Sequence, residues 1–166
     1  MTEQAVPTKA ELLELLRTSG RELRGKIEAL PAAGLEEGRY EGGWNGRQIL
    51  AHVAAIEWML PRIVDRARQQ AAAPTAESSG QTEQWDVNAY NDKQVSRRAS
   101  LSIAELVDEF ERNRAASIAA VESTDEALLT APVRLANGRV SPLAGELRRL
   151  AIDHAGGHLR DITGTG

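Results

Sequence analysis

Three stretches of this chain open with the same helix-start signal. Each is a capping box, in which a side-chain oxygen accepts from a free backbone N–H and a Glu or Gln three residues later reaches back to another. The boxes begin at Thr8, Asn45 and Ser102, and apolar residues recur every three or four positions behind each of them. That spacing is typical of amphipathic helices, so the chain is expected to bury its apolar faces by packing helix on helix.

The apolar spacing predicts helices at about residues 9–30, 46–69, 85–100, 103–121 and 142–162. For the last helix we expect Ser141 as the N-cap and Pro142 in the first turn. Pro61 lies inside the second helix and is expected to bend it, because proline removes one backbone donor. Residues 31–43 are expected to form a Gly-rich connection, and residues 70–84, rich in Ala, Pro, Thr, Ser, Gly and Gln, a surface loop.

These expectations describe an all-α fold, an antiparallel four-helix bundle with short extra helical turns, one of them within residues 124–132. Asn137-Gly138 predicts a tight turn before the last helix. The chain shows no convincing strand pattern, no repeat and no sign of a second domain. We therefore expect residues 1–166 to form a single helical-bundle domain.

Composition narrows the function classes. The net charge is −4 with both signs mixed along the chain, so we expect no nucleic-acid partner. No apolar run approaches the roughly 20 residues that cross a membrane, and the N-terminus lacks a signal-peptide pattern, so a cytoplasmic protein is expected. The chain has no cysteine, so a thiol nucleophile would have to come from a small molecule.

Histidine placement predicts a metal site. His154 and His158 are four residues apart on a predicted helix, so their side chains lie one turn above each other on the same face. The third and last histidine, His52, lies beside the apolar stripe of the second helix. Three imidazoles leave at least one position for water or substrate, as in a catalytic site. Zn, Ni, Cu and Fe all accept such ligands, so the sequence does not name the metal.

The alternative interpretation is that His154 and His158 are ordinary helix-face residues and His52 a hydrogen-bonded core histidine. Two observations favour the metal site instead. All three histidines lie on or beside apolar stripes, where an unpaired imidazole costs about 1–3 kcal/mol. Gly156-Gly157 also lies within the same helix, although each Gly costs about 1 kcal/mol there; close approach of another helix or a ligand would explain the pair.

The run GWNGRQILAH, from Gly43 to His52, resembles the signature that opens the second helix of the DinB-like superfamily. Asp153-His154 through His158 resembles the second half of that signature, a His-x-x-x-His near the C-terminus. The three histidines of the chain fall on the three ligand positions of that family. The resemblance implies a four-helix bundle, often a homodimer, that binds a divalent ion such as Zn²⁺ or Ni²⁺.

Within that superfamily the chain is most similar to the mycothiol-dependent maleylpyruvate isomerases and related thiol S-transferases. Tyr90-Asn91 resembles an aromatic-Asn element of their third helix. Two departures limit what carries over. We expect no counterpart of the additional C-terminal domain of the isomerase. The sequence Leu159-Arg160-Asp161 also stands where many relatives have a Gln or Glu close to the last histidine.

The first functional hypothesis is a metal-dependent S-transferase or isomerase that uses a low-molecular-weight thiol, such as mycothiol or bacillithiol, against an electrophilic small molecule. His52, His154 and His158 would be metal ligands. Asp153 and Asp161 are the candidate catalytic residues, for orienting an imidazole or taking a proton. We expect Asn91 and Arg160 to contact the thiol or the substrate, and most other short charge runs, such as Arg148-Arg149, to be solvated.

Two other hypotheses stay open. A metal-dependent hydrolase would use the same open site with hydroxide, and a nearby carboxylate base would favour it. Glu57 lies five residues after His52, which is a poor helical phase for reaching the same ion. The third hypothesis is a non-enzymatic metal-binding protein of the stress response, which a site fully capped by side chains would favour.

Overall fold

The computed structural model describes residues 5–38, 40, 43–73 and 86–164. Its helices are α1 (Lys9–Glu28), α2 (Ala32–Glu37), α3 (Gly46–Ala72), α4 (Val87–Ser96), α5 (Ile103–Glu122), α6 (Glu126–Thr130), α7 (Leu143–Arg148) and α8 (Ala155–Thr163). A π-helical segment, Arg149–His154, joins α7 to α8, and the strands are β1 (Pro132–Arg134) and β2 (Val140–Pro142). Most of the predicted loop at 70–84, and Trp85, lie outside the described residues.

All three predicted capping boxes are present. At Thr8, Asn45 and Ser102 the side chain accepts from the backbone N–H three residues later, and the Glu or Gln at that position accepts from the cap's own N–H. These bonds satisfy donors that the first turn of a helix otherwise leaves free. The predicted starts of α1, α3 and α5 are therefore confirmed, and so is the short helical turn within 124–132, which is α6.

The long helices pack into a bundle, which confirms the all-α fold class. Helix α3 packs most extensively against α5, and α1 lies against α5 and against the C-terminal helical run α7–α8. One apolar cluster centres on Leu12, Leu60 and Leu147, and a second on Ile49 and Phe110; all five side chains are buried. Because α3 contributes to both clusters, it is the central element of the core.

Two local predictions are wrong. The chain does contain strands: β1 and β2 pair antiparallel around the predicted Asn137-Gly138 turn, where Gly138 has φ +81°. The Gly-rich connection at 31–43 includes one short helix, α2, whose Leu35 is buried. Ser141 does not cap the last helix, because Ser141 and Pro142 belong to β2 and α7 begins at Leu143. Strands this short carry too few residues for alternation to be visible in the sequence.

Helix α3 continues through Pro61 to Ala72. Proline has no N–H, so the carbonyl of Glu57, four residues earlier, lacks its usual helical donor. Ser117 Oγ of α5 lies 3.4 Å from that carbonyl oxygen, so its hydroxyl can supply the missing hydrogen bond. The neighbouring helix thereby supports α3 where its sequence predicts a weakness.

The C-terminal helical run contains a turn that the sequence did not predict. Between Arg149 and His154 the backbone is π-helical, with wider turns than an α-helix, and such turns occur often at functional sites. The predicted inward face is nevertheless retained, since Leu147, Leu150, His158 and Ile162 are all buried. Among the described residues, no helix combines the length and apolar character needed to cross a membrane.

Candidate metal centre

Three imidazoles meet between α3 and the C-terminal helical run. His52 lies in the second turn of α3, His154 ends the π-helical segment, and His158 follows one turn later in α8. The Nε2 atom of His154 lies 3.1 Å from Nε2 of His52 and 3.1 Å from Nε2 of His158. One ring nitrogen from each residue lies within 4.8 Å of the other two. The structure therefore brings together the three histidines that the sequence singled out.

The spacing of these nitrogens fits a shared cation. Tetrahedral ligands about 2.1 Å from a Zn²⁺ ion lie roughly 3.4 Å from one another. The distances of 3.1 Å from His154 Nε2 to Nε2 of His52 and to Nε2 of His158 are both close to that value. The rings also pack nearly perpendicular to one another, which lets all three nitrogens point inward without the rings overlapping.

Burial keeps the His52 imidazole neutral. Desolvation is the largest cause that lowers the pKa of His52 to about 3, and the neighbouring His158 and His154 contribute in the same direction. A neutral imidazole is the form that binds metals. The indole of Trp44, just before α3, packs against the His52 ring with 5.1 Å between ring centroids. Trp44 thus restricts the orientation of that imidazole.

A cavity of about 350 Å³ lies beside the histidines. Its walls come from α3, α4, the hairpin turn and the π-helical segment. The lining residues are His52, Ile56, Met59, Arg62, Ile63, Arg66, Val87, Tyr90, Asn91, Leu135, Ala136, Asn137, Arg149, Leu150 and His154. Two of the three histidines, His52 and His154, therefore line a space large enough for a small molecule, while His158 is not part of its wall.

The predicted polar site residues differ in how close they lie to the cavity and to the imidazoles. Asn91 lines the cavity, next to Tyr90. Asp161 is half-exposed, and its Oδ2 lies 3.9 Å from Nδ1 of His158, which is longer than a hydrogen bond. Asp153 is exposed, and its carboxylate lies 3.8 Å from Nε of Arg148.

The interpretation of the Gly pair needs correcting. A side chain built at Gly156 or Gly157 would meet only the guanidinium of Arg160, at 3.6 and 3.8 Å, which are ordinary contact distances. No other helix comes close at these positions among the described residues, so close helix packing does not explain them. Arg160 itself is exposed, lies back over the two glycines and is absent from the cavity wall.

Glu57 belongs to the core rather than to the histidine site. Its carboxylate is fully buried and receives two hydrogen bonds from Arg114 of α5, at 2.6 and 2.8 Å. Burial raises the pKa of the Glu57 carboxyl, while Arg114 and Ser117 stabilise its ionised form. The prediction that Glu57 has a poor phase for reaching an ion at His52 is consistent with this position.

Sequence reasoning missed the arginines of the cavity. Arg62 and Arg66 of α3 and Arg149 of the π-helical segment all line it, although Arg149 was expected to be solvated. For Arg66 a signal was available, because it lies 14 residues after His52, which is close to four full helical turns. For Arg149 there was none, since its position depends on the π-helical turn.

Comparison with protein families gives a match over most of the chain. The model of the DinB superfamily matches residues 15–162. A comparison with curated proteins found no match.

Solved structures share the fold. The mycothiol-dependent maleylpyruvate isomerase is 19% identical, with a TM-score of 0.73, over 94% of this chain and 61% of that one. A variant of this enzyme is 18% identical with a TM-score of 0.67, over 95% of this chain and 66% of that one. The colibactin self-resistance protein ClbS, solved with a dsDNA, is 15% identical with a TM-score of 0.63, over 98% and 99%. This chain thus spans less than two thirds of the isomerase.

Proposed function

This chain belongs to the DinB superfamily, and on that premise we propose that it is a divalent-metal-dependent enzyme that joins a low-molecular-weight thiol to an electrophilic small molecule. One observation carries the proposal. The imidazoles of His52, His154 and His158 converge within 4.8 Å, and a cavity opens beside two of them. An open metal site requires protein side chains that bind the ion and free space beside the ion for water or substrate.

Each residue of the site has a role in this proposal. His52, His154 and His158 would hold the ion, and a bound Zn²⁺ or Ni²⁺ supplies a Lewis acid that lowers the pKa of a thiol. Asp161, close to Nδ1 of His158, would orient that ring. Asn91 in the cavity wall would contact the thiol or its acceptor.

The competing hypotheses have less support. A hydrolase would need a carboxylate base beside the ion, and no Asp or Glu is among the described residues that line the cavity. Glu57 cannot serve, because Arg114 occupies both of its carboxylate oxygens. A purely structural metal site would be closed by side chains, whereas a cavity of about 350 Å³ borders these histidines.

Location and assembly are part of the same proposal. We place the protein in the cytoplasm, where small thiols are kept reduced, and expect it to act as a single-domain homodimer, as the family resemblance implies. The absence of a nucleic-acid partner stays a prediction based on the net charge of −4. Because ClbS was solved with a dsDNA, a gel-shift assay with dsDNA is the direct check.

Metal content is the first test. Protein purified without an affinity tag or added metal is expected to contain close to one divalent ion per chain by elemental analysis. His154→Ala should lose that ion while its circular dichroism stays helical, because two imidazoles hold an ion far less tightly than three. Asn91→Ala is the matched control, since it alters the same cavity and should retain the ion.

Thiol consumption is the second test. The metal-loaded protein is mixed with mycothiol or bacillithiol and a panel of electrophiles, and loss of free thiol is followed. We expect turnover that a chelator abolishes and added metal restores. If no thiol reacts faster than in a protein-free control while metal content is full, the proposed reaction is wrong and only metal binding survives.

A further inference from the structure

The cavity beside the histidines carries an unusual charge. Three arginines, Arg62, Arg66 and Arg149, contribute to its wall, and no carboxylate does so among the described residues. The chain as a whole has more acidic than basic residues, 24 against 20. A wall with three arginines and no acidic residue is therefore not a consequence of overall composition, and it favours an anionic guest.

The three guanidinium groups differ in the ion pairs and hydrogen bonds that they make within the protein. Arg149 is paired with the buried carboxylate of Glu146. Arg62 lies over the ring of Trp58, 3.4 Å from its centroid, and donates to the Trp58 carbonyl. Arg66 makes no ion pair or hydrogen bond with any described residue, and its Nε atom is buried. A buried hydrogen-bond donor without an acceptor costs free energy. Arg66 therefore has the most to gain from a ligand that supplies an acceptor.

Two of the arginines, Arg62 and Arg66, lie away from the histidines along α3, and they define what we call the arginine end of the cavity. Arg62 and Arg66 follow His52 by ten and fourteen residues, which is roughly 15 and 21 Å along a helix axis. The side chains between them on the cavity wall, Ile56, Met59 and Ile63, are apolar. A ligand that contacted both the histidine cluster and these arginines would therefore be elongated, with an apolar middle part that packs against these side chains.

We propose that the arginine end of this cavity binds a carboxylate at one end of an elongated small molecule whose other end reaches the histidine cluster. Guanidinium and carboxylate match in geometry and form paired, charge-assisted hydrogen bonds. The inference rests on the proposed function, since it assigns the ligand class of the same site. The carboxylate could belong either to the thiol or to its electrophilic acceptor.

Binding of a plain fatty acid tests the arginine end without thiol or metal chemistry. Octanoate and octanol are titrated into chelator-treated full-length protein by calorimetry. We expect octanoate to bind more tightly than octanol, and Arg66→Met to remove that preference with a loss of roughly tenfold to a hundredfold in octanoate affinity. Arg66→Lys should keep part of the preference, because it retains the charge but loses the paired geometry.

Arg21→Met is the matched control. Arg21 is exposed on α1, which contributes no residue to the cavity wall, and the substitution changes the net charge equally. It should leave octanoate binding unchanged, and thermal denaturation checks that each variant is folded. Equal binding of octanoate and octanol to the wild type, or equal losses in Arg66→Met and Arg21→Met, would overturn the proposal whatever the metal content.

A second comparison identifies which molecule carries the carboxylate. 6-Mercaptohexanoate, 6-mercaptohexanol and octanoate are each titrated into metal-loaded protein. If the acid binds more tightly than both the alcohol and octanoate, and Arg66→Met removes the advantage, the thiol carries the carboxylate. If octanoate binds as tightly as the mercapto acid, the carboxylate belongs to the acceptor. In either case a failed thiol-consumption assay would count against the reaction and not against the arginine end.

Discussion

Helix α3 contributes to two buried polar clusters that are built in opposite ways. At Glu57 it meets Arg114, and every one of the five guanidinium N–H groups has an acceptor: Glu57 twice, the carbonyls of Leu16 and Ala151, and Ser19 Oγ. Five residues earlier, at His52, it meets two other imidazoles whose Nε2 atoms all face inward. The first cluster is complete within the protein, and the second points its donor atoms at one shared space.

The two clusters therefore have different roles: the Glu57–Arg114 cluster holds the helices in place, and the histidine cluster is the candidate functional site. Arg114 ties α5 to α1, to α3 and, through the Ala151 carbonyl, to the π-helical segment that ends at His154. A satisfied buried network of this kind holds helices in one arrangement. The histidine cluster uses that fixed arrangement to present three imidazoles, and an ion would satisfy them together.

The largest expected effect comes from breaking the complete cluster. Arg114→Met should lower the free energy of unfolding by about 3–5 kcal/mol, because it leaves the Glu57 carboxylate buried without its partner. Denaturant unfolding measures the change. Arg24→Met is the control, since Arg24 pairs with Glu28 and Glu111 on the exposed surface, where water screens ion pairs, and its loss should cost far less than that of Arg114. Equal losses of unfolding free energy in the two variants would show that the buried Glu57–Arg114 pair matters no more to stability than the surface ion pairs of Arg24.

An intermediate effect is expected at Glu146, whose buried carboxylate holds Arg149 at the cavity wall. Burial raises the pKa of Glu146, but Arg149, Ser141 and Arg139 outweigh it and leave the pKa below the ordinary 4.5. Glu146→Gln should lower the free energy of unfolding at pH 7 by about 1–2 kcal/mol. The cost is modest because Arg139 and Arg149 can turn to solvent.

The sign of the pH dependence follows from the lowered pKa. The stabilising contribution of Glu146 is present above the unfolded-state value and is lost as the pH falls through the folded-state value. The difference between wild type and Glu146→Gln should therefore shrink as the pH falls below about 4.5. Unfolding curves at pH 7 and at acidic pH measure it. A difference that stays constant would mean that the carboxylate charge adds nothing.

The smallest effect is expected at the open cluster without metal. In metal-free protein, His154→Ala should change the free energy of unfolding by no more than about 1 kcal/mol, because His154 is only half-buried and its removal leaves no charge behind. Added Zn²⁺ should raise the unfolding temperature of the wild type but not of the variant, since only the wild type binds it tightly. A metal-free loss as large as that of Arg114→Met would make the cluster a structural element.

Sequence patterns predicted local structure well where the cause is local. Thr8, Asn45 and Ser102 cap their helices as expected, because a capping box is complete within four residues. The meeting of His52 with His154 and His158 was also predicted, but only the last two followed from helical spacing. The participation of His52 came from the apolar stripe beside it and from the family resemblance.

Contacts between distant parts of the chain were not predicted. Glu57 and Arg114 are 57 residues apart, and nothing local marks either as a partner. The π-helical turn at Arg149–His154 has no sequence signature, yet it brings Arg149 to the cavity. The side-chain periodicity that predicts an α-helix also hides a single wider turn, because both keep the apolar residues inward.

The sequence alone determined the helical fold, the starts of the main helices and the residue type that could hold a metal, since these depend on capping and on the 3.6-residue period. Only the tertiary structure decided that the imidazoles converge, that a cavity with three arginines lies beside them, and that Arg114 fixes the surrounding helices. The reason is that these features depend on the relative positions of helices, which are set by packing between residues far apart in the chain.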